Sequence, residues 1–319
     1  MRPSVAQLRS LPALRSSRHK TSGHRARSGL SDALLETQTQ PPAMMVDRND
    51  NRESLNMGDL LEVKNLSCGY GEKVILKDIS FQMQKGEFLG IIGPNGVGKS
   101  TLLKTMLKII PFLKGRIIFR GSDISGLSQK SLARNIAYVP QQTQAWFSFA
   151  VLEILLMGRY PFLGRLESES KSDWEAMQKK VGLTRIENLL YANLDELSLG
   201  ERQMVFITRA LVQEPSLLLL DEPSAHLDIG HEIKIFDLLQ KLNRENNLSV
   251  ITVLHDLNLA SQYCNRLVLL SEGKIKKIGT PQEVLDYKTI EEVYQTVVVV
   301  KENPVSQKPH VFTIPEQFR

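Results

Sequence analysis

A chain of 319 residues with 42% hydrophobic and 24% charged content can bury a substantial core and has the composition of a globular protein. It contains no run of about eighteen apolar residues, which excludes a membrane-spanning helix of its own. The formal charge of +5 raises the question of a nucleic-acid partner, and its distribution argues against one. Residues 1–57 carry nine Lys and Arg against five Asp and Glu, whereas the rest of the chain carries 31 against 30. The excess base belongs to the leading segment and not to the body. The two cysteines, Cys68 and Cys264, lack metal-ligand spacing and read as reduced thiols.

Residues 1–57 are rich in Arg, Ser and Gln, contain Pro41 and Pro42, and show no sustained periodicity, a pattern of disorder. Two readings stand for them. Five Arg and Lys20 between Arg9 and Arg27, with no acidic residue before Asp32, resemble an organellar transit peptide. The preferred alternative is that translation starts at Met57, with Met44 and Met45 as further candidates. No apolar stretch of a secretory signal is present.

From Gly58 the pattern turns regular. Strands are predicted at 61–66 and 74–83 from alternating apolar residues, and a third ends in the apolar run 88–92. A helix follows from Lys99, then strands at 116–119 and 136–139. Residues 145–193 are predicted to be mostly helical, most clearly from Trp174 onward. A helix at 200–213, a strand at 217–220, a helix at 232–243 and a strand at 249–254 complete an alternation that implies a parallel sheet covered by helices. The aromatic residues Trp146, Phe147 and Phe149 read as core, or as the border of a groove that receives a partner helix.

Between the third strand and its helix stand Gly93, Pro94, Asn95, Gly96, Val97, Gly98, Lys99, Ser100 and Thr101, matching G-x-x-x-x-G-K-[ST]. Glycines let such a loop curl until its N–H groups face phosphate oxygens, and the helix N-terminus adds its dipole. Lys99 can then reach the β- and γ-phosphates of ATP, and the Ser100 hydroxyl can ligate Mg2+. The apolar run 217–220 ends in Asp221 and Glu222. A buried strand delivers such carboxylates to the sheet edge where ligands bind. Asp221 is expected to hold Mg2+, and Glu222 to orient or deprotonate an attacking water.

Leu197, Ser198, Leu199, Gly200, Glu201, Arg202 and Gln203 resemble the Leu-Ser-Gly-Gly-Gln/Glu signature of the ABC ATPases, departing from it at Leu199. The resemblance covers about 61–315. It implies a P-loop α/β fold: an ABC cassette with a RecA-like core, an antiparallel β subdomain, a helical subdomain at about 142–195 and a C-terminal tail at about 286–319. It implies that Ser198, Gly200 and Glu201 address the ATP of an opposing subunit, and that Asp228 is the D-loop aspartate coupling the two. By the same likeness Gln141 is the glutamine that touches Mg2+ and links to a membrane partner, with Gln142 as the neighbouring register. His255 is the switch histidine sensing γ-phosphate, and Tyr70 stacks on adenine. His226 and His231 are read as structural.

The stretches 133–141 and 156–164 and the closing residues 308–312 resemble the importer subgroup for iron chelates, haem and cobalamin. That likeness implies an ATPase at the cytoplasmic face of the inner membrane. It would act as a homodimer, with two integral permease subunits and an extracytoplasmic solute-binding protein. The alternatives are an importer of another substrate or a non-transport ABC ATPase, such as one of iron–sulfur assembly.

Overall fold

The structure is a computed structural model that describes residues 59–141 and 148–318. The leader assigned to 1–57, the alternative glutamine Gln142, and the aromatics Trp146 and Phe147 lie outside the described residues. Phe149 packs half-buried against the core.

The chain opens with strands β1 (Asp59–Tyr70), β2 (Lys73–Gln84) and β3 (Phe88–Ile92), then helix α1 (Lys99–Met106). Strands β4 (Phe112–Phe119) and β5 (Ser122–Asp123), helix α2 (Gln129–Ala133) and strand β6 (Ile136–Val139) follow. Next come helices α3 (Val151–Leu156), α4 (Lys171–Thr184) and α5 (Leu199–Val212), then β7 (Leu217–Asp221), α6 (Ile229–Asn246) and β8 (Ser249–Val253). The last stretch holds α7 (Leu257–Tyr263), β9 (Arg266–Ser271), β10 (Lys274–Gly279), α8 (Pro281–Val284), α9 (Tyr287–Tyr294) and the hairpin of β11 (Val298–Glu302) and β12 (Pro309–Thr313).

The main sheet runs β10-β9-β3-β8-β7-β6, parallel from β9 to β6 with β10 antiparallel at one edge. Its central strands are buried on both faces because they carry no polar alternation. Phe88, Ile92, Leu218, Leu220, Val250 and Leu267 point to the helical side. Leu89, Ile91, Leu217, Leu219, Ile251 and Val268 point to the other. That second face packs on α1, through Leu102, Leu103 and Met106, and on the antiparallel sheet β2-β1-β4-β5. A bond from Lys77 N–H to Gly273 O (2.8 Å) ties β2 to the β9–β10 turn. Helix α6 covers the helical side with the stripe Ile235, Phe236, Leu239 and Leu242, set by the 3.6-residue period.

The region predicted as mostly helical is only partly so. Residues between Arg159 and Lys171 form a loop in which Pro161 and Gly164 break the pattern before Ser170 caps α4. Arg159 holds this loop down. Its buried guanidinium binds Asp173 (2.8 Å), the Val212 carbonyl (3.0 Å) and Glu214 (3.3 Å), and lies over the Phe162 ring. It thereby joins the end of α3 to α4 and to the end of α5. Strand β1 is longer than the expected 61–66 because register shifts, with Asn65 at φ 47°, bend it and let pairing continue to Tyr70.

Candidate active site

β3 runs out of the core at Ile92 and the chain turns at once into α1. Three glycines make that turn possible, with φ of 147° at Gly93, 78° at Gly96 and 108° at Gly98. Gly98 is also a close approach, since a Cβ there would lie 2.8 Å from side-chain atoms of Ile75 and Leu76. No side chain caps α1, so the N–H groups of its first turn have no intrahelical acceptor and face the loop mouth. Lys99 is buried, and its ammonium donates to the carbonyls of Gly93 (2.8 Å) and Pro94 (3.0 Å). Burial lowers its pKa, opposed by the charges of Glu222 and Asp221. Asn95 and Gly96 are exposed at the loop tip, and Thr101 is buried within the first turn of α1.

Two strands away, β7 ends on the buried Asp221. Its Oδ1 accepts the Ser100 hydroxyl (2.8 Å) and its Oδ2 accepts Tyr138 OH (3.2 Å). Burial raises the Asp221 pKa against those two bonds. The next residue, Glu222, has φ 52°, a left-handed conformation unusual outside glycine. That turn takes its carboxylate out of the strand's alternation and between two other residues. Oε2 accepts Gln141 Nε2 at 2.5 Å, and Oε1 pairs with His255 Nε2. Gln141 follows β6, and His255 follows β8. Three adjacent parallel strands therefore deliver one side chain each to a single cluster, all from their C-terminal ends.

His255 also lines a cavity of about 800 Å3 with the loop from Gly93 to Val97, residues 73–75 of β2, and the end of α9. Tyr70 stands at the end of β1, in register with Lys73, and its ring is 53% exposed beside that edge. Of the residues expected to hold nucleotide, Gly93, Pro94, Asn95, Gly96 and Val97 line this opening.

The remaining predicted residues stand at the starts of α5 and α6. Ser198 caps α5 in a reciprocal box: its hydroxyl accepts Glu201 N–H (3.3 Å) and donates to Glu201 Oε2 (2.7 Å). These bonds hold the Glu201 carboxyl below its usual range. Leu199 is exposed and Gly200 buried. Asp228 caps α6 and is itself exposed.

Two site residues were missed in the sequence. Tyr138 was assigned no role, yet its pairing with Leu219 places it on the Asp221 face of β7. Tyr294, from the C-terminal tail, lines the cavity beside Gly93, and burial pushes its pKa up to about 12. Nothing local in sequence marks it.

Comparison with known proteins agrees with this geometry. Residues 76–225 match the ABC transporter family model. The uncharacterized ABC transporter ATP-binding protein YvrA of Bacillus subtilis is 36% identical over 81% of this chain and 58% of its own length, so the chain spans a little over half of that relative. The ferric enterobactin transport ATP-binding protein FepC of Escherichia coli is 37% identical over 79% of this chain and 93% of FepC. Among solved structures, dimeric MJ0796, a bacterial ABC transporter cassette, superposes with a TM-score of 0.62 at 28% identity, covering 69% of this chain and 98% of that one. On these matches the chain belongs to the ABC transporter ATP-binding family.

Proposed function

We propose that this chain is the ATP-hydrolysing subunit of an importer for iron chelates or a related cargo such as haem or cobalamin. The carrying observation is the Glu222 carboxylate, gripped by Gln141 and His255 beside the Ser100–Asp221 pair. A general base for phosphoryl transfer to water must be ionised, oriented and next to the phosphate cradle. Two donors orient Glu222, and His255 links it to the cavity that the P-loop lines. Glu222 orients the attacking water and takes its proton. The charge developing on the departing phosphate is met by Lys99 and the uncapped N–H groups of α1.

Mg2+ fits the oxygen pair of Ser100 and Asp221, with Gln141 nearby. Both are hard oxygen donors, and a buried carboxylate whose pKa is raised by burial gains from a cation. Among the described residues, no cluster of three His, Cys, Asp or Glu side chains is arranged to hold a metal. That suits an ion that binds through one carboxylate, a hydroxyl and substrate phosphates. Bound there, it would neutralise phosphate charge.

Ser198, Gly200, Glu201 and Asp228 stand at the starts of α5 and α6, Ser198 and Asp228 exposed, and none takes part in the hydrogen bonds that hold Glu222. Their position supports a head-to-tail homodimer in which each copy finishes the other's site. ATP binding would close the pair and hydrolysis reopen it. No described helix is long and apolar enough to cross a membrane. On the importer reading the chain works with two integral permease subunits, fed by an extracytoplasmic binding protein, and is peripheral at the cytoplasmic face of the inner membrane. The cargo class rests on the likeness to FepC.

The substitution Glu222→Gln tests the reading. It keeps shape and hydrogen bonding while removing the base, so hydrolysis should fall by about 10²- to 10⁴-fold with ATP still bound and a stable dimer accumulating. Phosphate release and sedimentation in MgATP measure both. Turnover within tenfold of the parent would remove Glu222 from its role.

A further inference from the structure

The start of α5 and the start of α6 are distant in sequence and meet in the fold through a residue that the family reading left out. A Cβ placed on Gly200 would lie 2.4 Å from His231 Cδ2, 2.6 Å from Cγ and 3.0 Å from Nε2. The imidazole therefore rests flush against the Gly200 backbone. Its Nδ1 is 2.6 Å from Asp228 Oδ2, while the His231 backbone N–H donates to Asp228 Oδ1 at 3.0 Å. A carboxylate accepts only, so Nδ1 carries the proton. One side chain thus binds the Asp228 carboxylate and covers the glycine next to the Ser198 cap.

Capping α6 does not require this ring. The bond from the backbone N–H to Oδ1 already satisfies the cap, and any residue at this position supplies it. What the ring adds is the contact with Gly200. Both stretches that it joins are exposed at their tips, and each is followed by an outward apolar side chain: Leu199 is 59% exposed and Ile229 is 78% exposed. These are the stretches that would meet the second copy.

We propose that His231 is a positioning residue that locks the Asp228 loop to the Ser198–Gly200 turn of the same chain, so that both present to the second copy's ATP as one rigid unit. The inference rests on the head-to-tail dimer proposed above. It also gives Gly200 an internal reason to lack a side chain, independent of any phosphate.

The test uses the full chain carrying Glu222→Gln, in which ATP should trap the dimer, with dimerisation read by sedimentation across protein concentrations. A fluorescent ATP analogue reads nucleotide binding by the single chain, and thermal melting reads the fold. His231→Ala should weaken ATP-dependent dimerisation about tenfold, with analogue affinity within twofold and melting within a few degrees of the parent. His231→Asn, which keeps a donor for Asp228, and His231→Phe, which keeps a ring on Gly200, should each recover part of the loss. Adding Asp228→Ala to His231→Ala should cost less than the sum of the two single losses, since both break one link. Dimerisation of His231→Ala within twofold of the parent overturns the proposal. So does a loss matched by equal losses in nucleotide affinity and melting, which marks a merely structural role. If Glu222→Gln alone stays monomeric in MgATP, the dimer reading fails and takes this inference with it; a parent that dimerises isolates failure to His231.

Discussion

The molecule presents two helix N-termini suited to phosphate, and they are built in opposite ways. At α1 the approach is buried and no side chain caps the helix, with Lys99 and the glycine loop folded around the opening. At α5 the turn is exposed and closed on itself, because Ser198 and Glu201 satisfy each other. An uncapped N-terminus beside a buried ammonium favours an anion without help. A self-capped one already has a carboxylate on the Ser198 donors. On the proposed reading the tasks divide: α1 would hold a nucleotide within one chain, whereas α5 would exchange an internal bond for an external one. A second copy supplying phosphate at high local concentration would make that exchange favourable.

The two ends should therefore fail differently. Lys99→Met removes the cation of the first, and nucleotide affinity of the single chain should drop along with hydrolysis, by about 10²- to 10³-fold in turnover. Titration of a fluorescent ATP analogue, paired with phosphate release, measures both. Unchanged affinity would mean that the loop amides alone suffice. Ser198→Ala acts on the second end. It should leave single-chain affinity within twofold and lower turnover at saturating ATP by about tenfold, one lost charge-assisted hydrogen bond. The lost cap should also cost about 1 kcal/mol of stability, read by denaturant unfolding. If Ser198→Ala instead weakens nucleotide binding by the isolated chain, the division between the two ends is wrong.

The same contrast explains what could be read from the sequence. The first end is local: strand, glycine loop, lysine and helix are contiguous, so composition and spacing carry the chemistry from Gly93 to Thr101. Asp221 and Glu222 were equally legible, because an apolar run ending in carboxylates states its own geometry. Two kinds of feature were not. Contacts between distant segments, such as Tyr138 on Asp221 or His231 on Gly200, depend on strand order and helix packing that no short window encodes. Elements held by tertiary context also escaped, among them the tail from α7 to β12, and the loop after Arg159 that was expected to be helical. There a buried guanidinium bound to Asp173 and Val212 O decides the path, and local propensity does not.

Leu199 offers the finest probe of the comparison, because it is the one departure from the family pattern and it sits on the self-capped end. Its side chain is exposed at the first position of α5, next to the glycine that His231 covers. Leu199→Gly would cost up to about 1 kcal/mol in helix propensity, and less near the frayed first turn. In return the backbone N–H groups become accessible to an anion without a bulky neighbour. In the Glu222→Gln background, ATP-dependent dimerisation should tighten by about two- to fivefold, under 1 kcal/mol, while single-chain affinity stays level. Sedimentation at several protein concentrations resolves that difference. A tenfold weakening would reverse the assignment of Leu199, making its apolar surface part of what holds the second copy, and the exposed rim would then be a hydrophobic contact as much as a phosphate site.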